Sequence, residues 1–540
     1  MPSSSVPLEP VREVHNLERY SLARANAGIY YNVVVGTRLQ LQSATTQLPK
    51  DKTQWLEILT GPLSWLIQRH PALSVVVGDH LSAKPTFLRL PAIDLSRLVR
   101  VTTIQRHNEI RQVLEDEHTT PFDFLNHEIP LWRIVLVHIT DDDSFYLLYN
   151  FQHVIGDGRS AMSLTEQLVQ QLNIQAAAAA VTAATASTSA ENTRLPTVVT
   201  APNDPLPPAI EMRVNCQPPL PMLLKEAALG LLLPAFVKKS LESKYWAGEF
   251  DANLNVPNET QVEGCFFTQE ETLQIIQTSK IRQTTVHSIL FTAANFAIKS
   301  IFLSQVEGEG ENMKPTTTKD KLSFATPVSL RALISPTIDP SDQGSYTSEL
   351  ITKDIQILLE SEFWNVTQTY RNQVVKGTTT EKGVRHMLEH AGLLEYLPKR
   401  PGGWEDFLQS QVAQEPHGRL ATLKLSNIGK SWDQPSSSSS STSSSSSSSE
   451  QQPVVTFKVQ DAIFSQSASV TSSAFTLNAA TANGALSIIT TWQKATFSSR
   501  ERGELFMKEF KRILLQATEP KRQVYLFREA VISRHTTVSQ

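Results

Sequence analysis

Apolar positions along the chain switch repeatedly between a helical period and strict alternation, so both helices and strands are expected throughout. In the first half, Trp55, Ile58, Leu59, Leu63 and Leu66 share one helical face, and the strand-like LSVVV (Leu73–Val77) follows His70 and Pro71. Phe145–Phe151 is apolar on both faces of an extended segment, the pattern of a buried strand, and Ala161, Leu164, Leu168 and Leu172 then return at helical spacing. In the second half a strand is expected over Val262–Phe267. Thr268 and Glu271 form a capping box for the helix after it, and Thr284 or Thr285 caps the next, VHSILFTAANFAIKSIF. Phe475, Leu477 and Ala479 alternate on one strand and Leu486, Ile488, Thr490 and Trp492 on another, across an Asn483-Gly484 turn, which reads as a hairpin. Ser498 and Glu501 are expected to cap a last helix with the stripe Leu505, Phe506, Phe510, Ile513 and Leu514. The regular βαβ rhythm of a doubly wound sheet is absent, so the expected class is a mixed α/β (α+β) fold.

The 540 residues exceed what a single core usually supports, and two domains are expected. Residues 1–174 form the first and residues 209–540 the second, separated by a low-complexity linker over 175–208 rich in Ala, Thr, Ser and Pro. Within the second domain, 434–452 is expected to be a disordered serine loop, because the run Ser436–Ser449, broken only by Thr442, holds no apolar surface to bury. The stretch Gly308–Lys321 has the Gly, Pro and charge content of an exposed loop.

Composition narrows the partners. With 40% hydrophobic and 19% charged residues the chain is globular, and a net charge of −4 offers no general attraction to phosphate backbones, so nucleic acid is not an expected partner. Two cysteines, Cys216 and Cys265, make no disulfide framework, and MPSSSVPLEPVREV lacks the basic start and apolar stretch of a secretory signal. A cytoplasmic location is expected. The apolar run Ala227–Val237 is broken by Gly230 and Pro234 and falls short of the roughly 20 residues that span a bilayer. Met222–Lys239, apolar with basic ends, suits either peripheral contact with a lipid surface or packing as a helix on the second domain.

The sharpest candidate chemistry is QHVIGDG, in which His153 and Asp157 lie four apart with Gly156 and Gly158, directly after the expected buried strand. A histidine leaving a strand edge can face a cleft, and the glycines permit a tight or left-handed turn back into a helix. From spacing alone the segment serves equally well as a buried histidine bonded to backbone, followed by an ordinary Asp-Gly turn. Other candidates are weaker. His287 lies within an apolar helical stretch and reads as a core histidine, Cys265 has no His-Asp company nearby, and no metal-ligand set, G-x-S-x-G, Walker loop or dinucleotide fingerprint is present.

The text around His153 resembles the acyltransferase superfamily that includes chloramphenicol acetyltransferase, peptide-synthetase condensation domains, plant acyltransferases and fungal alcohol acetyltransferases. The shared HxxxDG is matched by His153, Asp157 and Gly158, with Gln152 where condensation domains carry a further histidine. RHPAL (Arg69–Leu73), PLWRI (Pro130–Ile134), PVSLR (Pro327–Arg331) and SNIG (Ser426–Gly429) follow the family in order. LERYSLARANAGIYYNVVV and the acidic turn before QHVIGDG are most similar to the fungal alcohol acetyltransferase branch, and the plant DFGWG is absent.

The resemblance implies a two-domain fold of the chloramphenicol acetyltransferase type, a pseudo-dimer of similar halves with a channel between them and His153 at its midpoint. It implies His153 as general base, Asp157 as a structural residue salt-bridged to Arg331, and acetyl-CoA as co-substrate, with no bound cofactor or metal. Ser426 and Asn427 are candidates for oxyanion or substrate contacts, or else turn residues before Gly429. An alcohol is the expected acceptor, a long-chain amine or a non-catalytic scaffold being the alternatives. A monomer is expected, and endoplasmic reticulum or lipid droplets are the implied membranes.

Overall fold

The computed structural model describes residues 7–42, 47–185, 196–227, 245–308, 313–412, 415–432 and 456–538. The serine run and most of Met222–Lys239 lie outside them. Strand β1 (Val33–Gln42), helix-flanked β2 (Val99–Ile104), β3 (Trp132–Ile139) and β4 (Ser144–Phe151) belong to the first half. The second half carries β5 (Thr260–Phe266), β6 (Leu322–Ser329), β7 (Thr347–Ile355), β8 (Ala421–Ser431), β9 (Thr456–Gln466), β10 (Ser473–Ala482) and β11 (Ala485–Gln493). They form two mixed sheets. One runs β9-β1-β4-β3-β2 and the other β5-β11-β10-β8-β6-β7.

Strand β9 follows β8 in sequence yet leaves the second sheet, pairing antiparallel with β1 from Gln466↔Val33 to Thr456↔Gln42. Its Phe457, Val459, Ala462 and Phe464 enter the core of the first half. The two halves are therefore stitched by backbone hydrogen bonds as well as by side chains. Residues 209–540 are thus not confined to one sheet, since β9 completes the sheet of the first half.

The main helices are α1 (Asn16–Asn26), α2 (Lys52–Arg69), α3 (Gly158–Thr185), α4 (Gln269–Ile281), α5 (Val286–Phe302), α6 (Phe363–Thr379) and α7 (Arg500–Ala517). Helix α4 opens with the Thr268–Glu271 capping box, and Thr285 rather than Thr284 caps α5 by accepting from Ser288 N. Helix α7 departs from expectation. Ser499 is its N-cap residue, while the Ser498 amide and hydroxyl donate to Glu249, so Ser498 is spent on an inter-segment contact. The hairpin β10–β11 turns at Asn483 and Gly484, both with positive φ, as a two-residue turn matching strand twist requires.

Two segments expected to be irregular are ordered. Helix α3 continues through the Ala-rich stretch to Thr185, past residue 174, because alanine has the highest helix propensity. After the undescribed 186–195, Val198–Thr200 pairs with Ala92–Asp94, Leu206 is buried, and Arg89 donates to the Pro202 and Asp204 carbonyls, so 196–208 lies along the first half. Within Gly308–Lys321, Lys314–Thr317 pairs with Ser304–Glu307 as a small hairpin. Among the described residues no single helix is long and apolar enough to cross a membrane.

Candidate active site

Strand β4 is buried along its whole length, and the chain leaves it through a short turn that enters α3 at Gly158. Gln152, fully buried, holds that turn. Its side-chain oxygen accepts from Val154 N, its side-chain nitrogen donates to the Ser21 carbonyl of α1 at 3.4 Å, and its own amide donates to Leu131 O at 2.9 Å. The polar contacts made by Gln152 leave the next side chain, His153, pointing from the rim of the sheet. The flanking motifs pack beneath it, with Trp132 Nε1 of PLWRI donating to the Leu73 carbonyl of RHPAL at 2.8 Å.

The half-buried His153 ring lies 6.0 Å from the Tyr30 ring and 6.5 Å from Phe151, centroid to centroid. Nδ1 is enclosed without a hydrogen-bond partner, which leaves Nε2 as the nitrogen for a substrate. Burial, and next the positive charge of Arg24, push its pKa down to about 4. The imidazole is neutral at neutral pH.

Asp157 is directed the other way. Its Oδ2 accepts from Arg331 Nη1 at 2.7 Å, Tyr346 N at 3.0 Å and Thr347 Oγ1 at 3.2 Å, while Oδ1 accepts from Ser160 N at 2.9 Å, capping α3. Burial alone would raise this carboxyl, but the Arg331 charge and these donors hold it at about 2. Arg331 Nη2 also donates to Ser160 Oγ at 2.7 Å, and the guanidinium sits 4.8 Å over the Tyr346 ring. The capping role of Asp157 and its hold on β7 are contacts that sequence reasoning did not anticipate, although an Asp three residues before Ser160 at a helix start is a legible cap signal.

Neither Gly156 nor Gly158 adopts positive φ, so the expected left-handed turn is not the reason for glycine here. Close packing is. A Cβ on Gly158 would sit 3.0 Å from Ile428 Cγ2 and 3.4 Å from the Phe464 ring, and one on Gly156 3.3 Å from Ser160 Cβ. Through Gly158 and an Arg159 Nη1 to Ile428 O hydrogen bond of 2.6 Å, the SNIG segment of β8 lies beside the start of α3. Ser426 is buried, whereas Asn427 is exposed and accepts from Gly429 N at 2.8 Å, a turn contact across the bulge of β8.

Further groups missed in the sequence surround His153. Tyr30 donates to Gln466 Oε1 at 3.0 Å, and Gln466 Nε2 donates to Asn478 Oδ1 at 2.6 Å, so a side chain of the crossing strand β9 fixes the ring facing His153. Arg24 of α1 lies over Tyr20 and Tyr30, and Lys424 of β8 pairs with Glu349 of β7. No local sequence pattern marks these residues, since α1, β7, β8 and β9 converge only in three dimensions. His287 is a core residue, its Nε2 3.0 Å from the Tyr370 hydroxyl and its pKa lowered by burial to about 4. Burial pushes the Cys265 thiol up to about 12. A cavity of about 390 Å³ lies against α6, lined by Glu362, Asn365 and Tyr370, and is separate from His153.

The alcohol acetyltransferase family model matches residues 105–514. A probable alcohol acetyltransferase, crmB, of Aspergillus fumigatus is 22% identical over 303 residues, covering 54% of this chain and 59% of that one, so the chain spans less than two thirds of that relative. Among solved structures, the trichothecene 15-O-acetyltransferase of Fusarium sporotrichioides superposes with a TM-score of 0.60 at 11% identity, covering 93% of this chain and 95% of that chain. Polyketide synthase associated protein 5 of Mycobacterium tuberculosis superposes with a TM-score of 0.52 at 12% identity, covering 96% and 100%. These likenesses establish the chloramphenicol-acetyltransferase-like fold. With its family match extending over most of its length, the chain belongs to the alcohol acetyltransferase family.

Proposed function

We propose that the protein transfers an acetyl group from acetyl-CoA to an alcohol, with His153 as general base. The observation that carries this reading is an imidazole kept neutral by burial, with Nδ1 enclosed and Nε2 left for a substrate, on the loop that Asp157 ties to Arg331. An alcohol oxygen is a poor nucleophile until its proton leaves. His153 Nε2 accepts that proton as the oxygen attacks the thioester carbonyl carbon. The tetrahedral oxyanion then collapses, the carbon–sulfur bond breaks, and the imidazolium returns the proton to the CoA thiolate. A base with so low a pKa is always in its active form at neutral pH but pulls weakly, so positioning and electrostatics must supply most of the rate.

Ser426, buried on β8, and Asn427, whose Oδ1 accepts from Gly429 N while its Nδ2 stays available as a donor, both remain oxyanion candidates. Arg24 and Lys424 near His153 favour a neutral or anionic acceptor over an ammonium ion, which weighs against the long-chain amine. The test is thiol release by the purified protein supplied with acetyl-CoA and a panel of alcohols and amines. Turnover of alcohols that disappears in His153→Ala supports the reading; turnover confined to amines, or no turnover at all, refutes it.

A further inference from the structure

Arg24 is buried, 9% exposed, in the last turn of α1, with its guanidinium 4.6 Å over the Tyr20 ring and 4.4 Å over Tyr30. Its one side-chain hydrogen bond is a long contact of 3.4 Å to Ser21 Oγ, and Nε is enclosed without an acceptor. No carboxylate among the described residues lies within ion-pair distance of it. The Nε atoms of Arg331 and Arg419 are likewise enclosed without an acceptor, but their Nη groups are held, Arg331 by Asp157 and Ser160, and Arg419 by the carbonyls of Ala247 and Phe250 and the Thr496 hydroxyl. A buried cation is costly unless paired and hydrogen-bonded. The neighbouring carboxylate, Glu349, is committed to Lys424, so one positive charge beside His153 is left over.

We propose that the acceptor alcohol carries a carboxylate and that Arg24 is its counter-ion, so that the protein acetylates hydroxy acids. This rests on the reading of acyl transfer to an alcohol at His153. Tyr30 borders both groups: Arg24 lies 4.4 Å over its ring and the His153 ring is 6.0 Å from it, so a carboxylate at Arg24 and a hydroxyl at Nε2 would flank the same tyrosine. The CoA phosphates do not fit this place, because the uncharged pantetheine arm holds them far from the thioester that His153 serves. The guanidinium lies over the Tyr20 and Tyr30 rings, and its edge makes only the long Ser21 contact among the described residues, the edge that a bidentate carboxylate would take. The arrangement also couples binding to base strength. Arg24 and Lys424 disfavour protonated His153 and Asp157 favours it, so a carboxylate at Arg24 cancels part of the opposing field and makes His153 a stronger base in the complex.

The experiment compares medium-chain 3-hydroxy acids with their methyl esters as acceptors, in the wild type, R24M and R24K. The wild type is expected to prefer each acid over its ester in kcat/KM, and R24M to lose about tenfold or more of that preference, chiefly in KM, with R24K retaining part. With the acids, the acid limb of kcat should lie at higher pH than that of the esters. A wild type that prefers the esters, or a preference unchanged in R24M, overturns the proposal, as does an equal fall for acid and ester, which would place Arg24 at the oxyanion or in folding. Calorimetric binding of the same acids and esters separates this from the transfer reading. Should no acceptor release thiol, transfer fails, while acid binding weakened selectively in R24M still supports the carboxylate site and indiscriminate binding overturns it.

Discussion

The Asp157 carboxylate and the Arg331 guanidinium, 174 residues apart in the chain, meet at 2.7 Å with side-chain exposures of 2% and 5%. One carboxylate thereby caps α3, holds the loop of His153 and ties that loop to the start of β7. Removing one partner of a buried pair leaves the other charge uncompensated. Asp157→Asn should therefore cost about 3–5 kcal/mol, read from the midpoint of urea unfolding, and lower kcat as the loop loosens. An unchanged midpoint would mean that the pair is dispensable.

His153 makes no hydrogen bond that packing depends on. His153→Ala is expected to lower thiol release by about a hundred- to ten-thousand-fold while the unfolding midpoint stays near that of the wild type. Near-normal turnover would remove it from the chemistry.

Acid should weaken the fold before it discharges the carboxylates. Burial holds the folded-state pKa of His118 at about 3 and those of His153 and His287 at about 4, all below the ordinary 6.5. Below pH 6.5 the unfolded chain therefore binds more protons than the folded one. The stability from keeping these rings neutral is complete above pH 6.5 and is lost progressively as pH falls towards 4, at about 1.4 kcal/mol per ring and pH unit at most. Urea midpoints measured across that window should fall; a flat profile would show that the rings protonate in place. Activity measured where the protein stays folded should hold steady from neutral pH into this range, since the free base is already neutral.

Gly158 is a packing test separable from chemistry. Its absent Cβ leaves room for Ile428 and Phe464 at 3.0 and 3.4 Å, so Gly158→Ala should cost about 1–3 kcal/mol and disturb the His153 loop. Pairing it with Ile428→Ala, which removes the crowding Cγ2, should cost less than the sum of the two single changes, and a purely additive loss would point to a backbone requirement instead.

Packing on the second domain and peripheral contact with a membrane are the two readings of Met222–Lys239, and one variant separates them. The helix Leu220–Ala227, which holds the described start of that segment, exposes Leu224 and, just before the segment, Leu220. Loss of co-sedimentation with anionic vesicles in a soluble variant with Ser in place of Leu231, Leu232 and Phe236 would assign the segment to a membrane surface. Misfolding of that variant would assign these side chains to the core.

Much of the molecule is legible from short stretches. The apolar run Phe145–Phe151, the Asn483-Gly484 turn and the Thr268–Glu271 box specify a strand, a hairpin and a helix start because period, turn geometry and capping act over a few residues. HxxxDG is legible for the same reason, being a strand exit, a turn and a helix start in sequence. The Ala-rich stretch after residue 174 was open to misreading because low complexity suggests a linker, although alanine's helix propensity carries α3 to Thr185. What no local pattern contains is the passage of β9 into the first sheet, or the convergence of Tyr30, Arg24, Glu349 and Lys424 around His153. Those depend on which surfaces exclude water together, and the gain from pairing β9 with β1 exists only after both halves are formed. The sequence thus determined the elements and the reactive loop, while tertiary packing alone decided which charges that loop would face, because burial and Coulomb fields are set by neighbours in space and not along the chain.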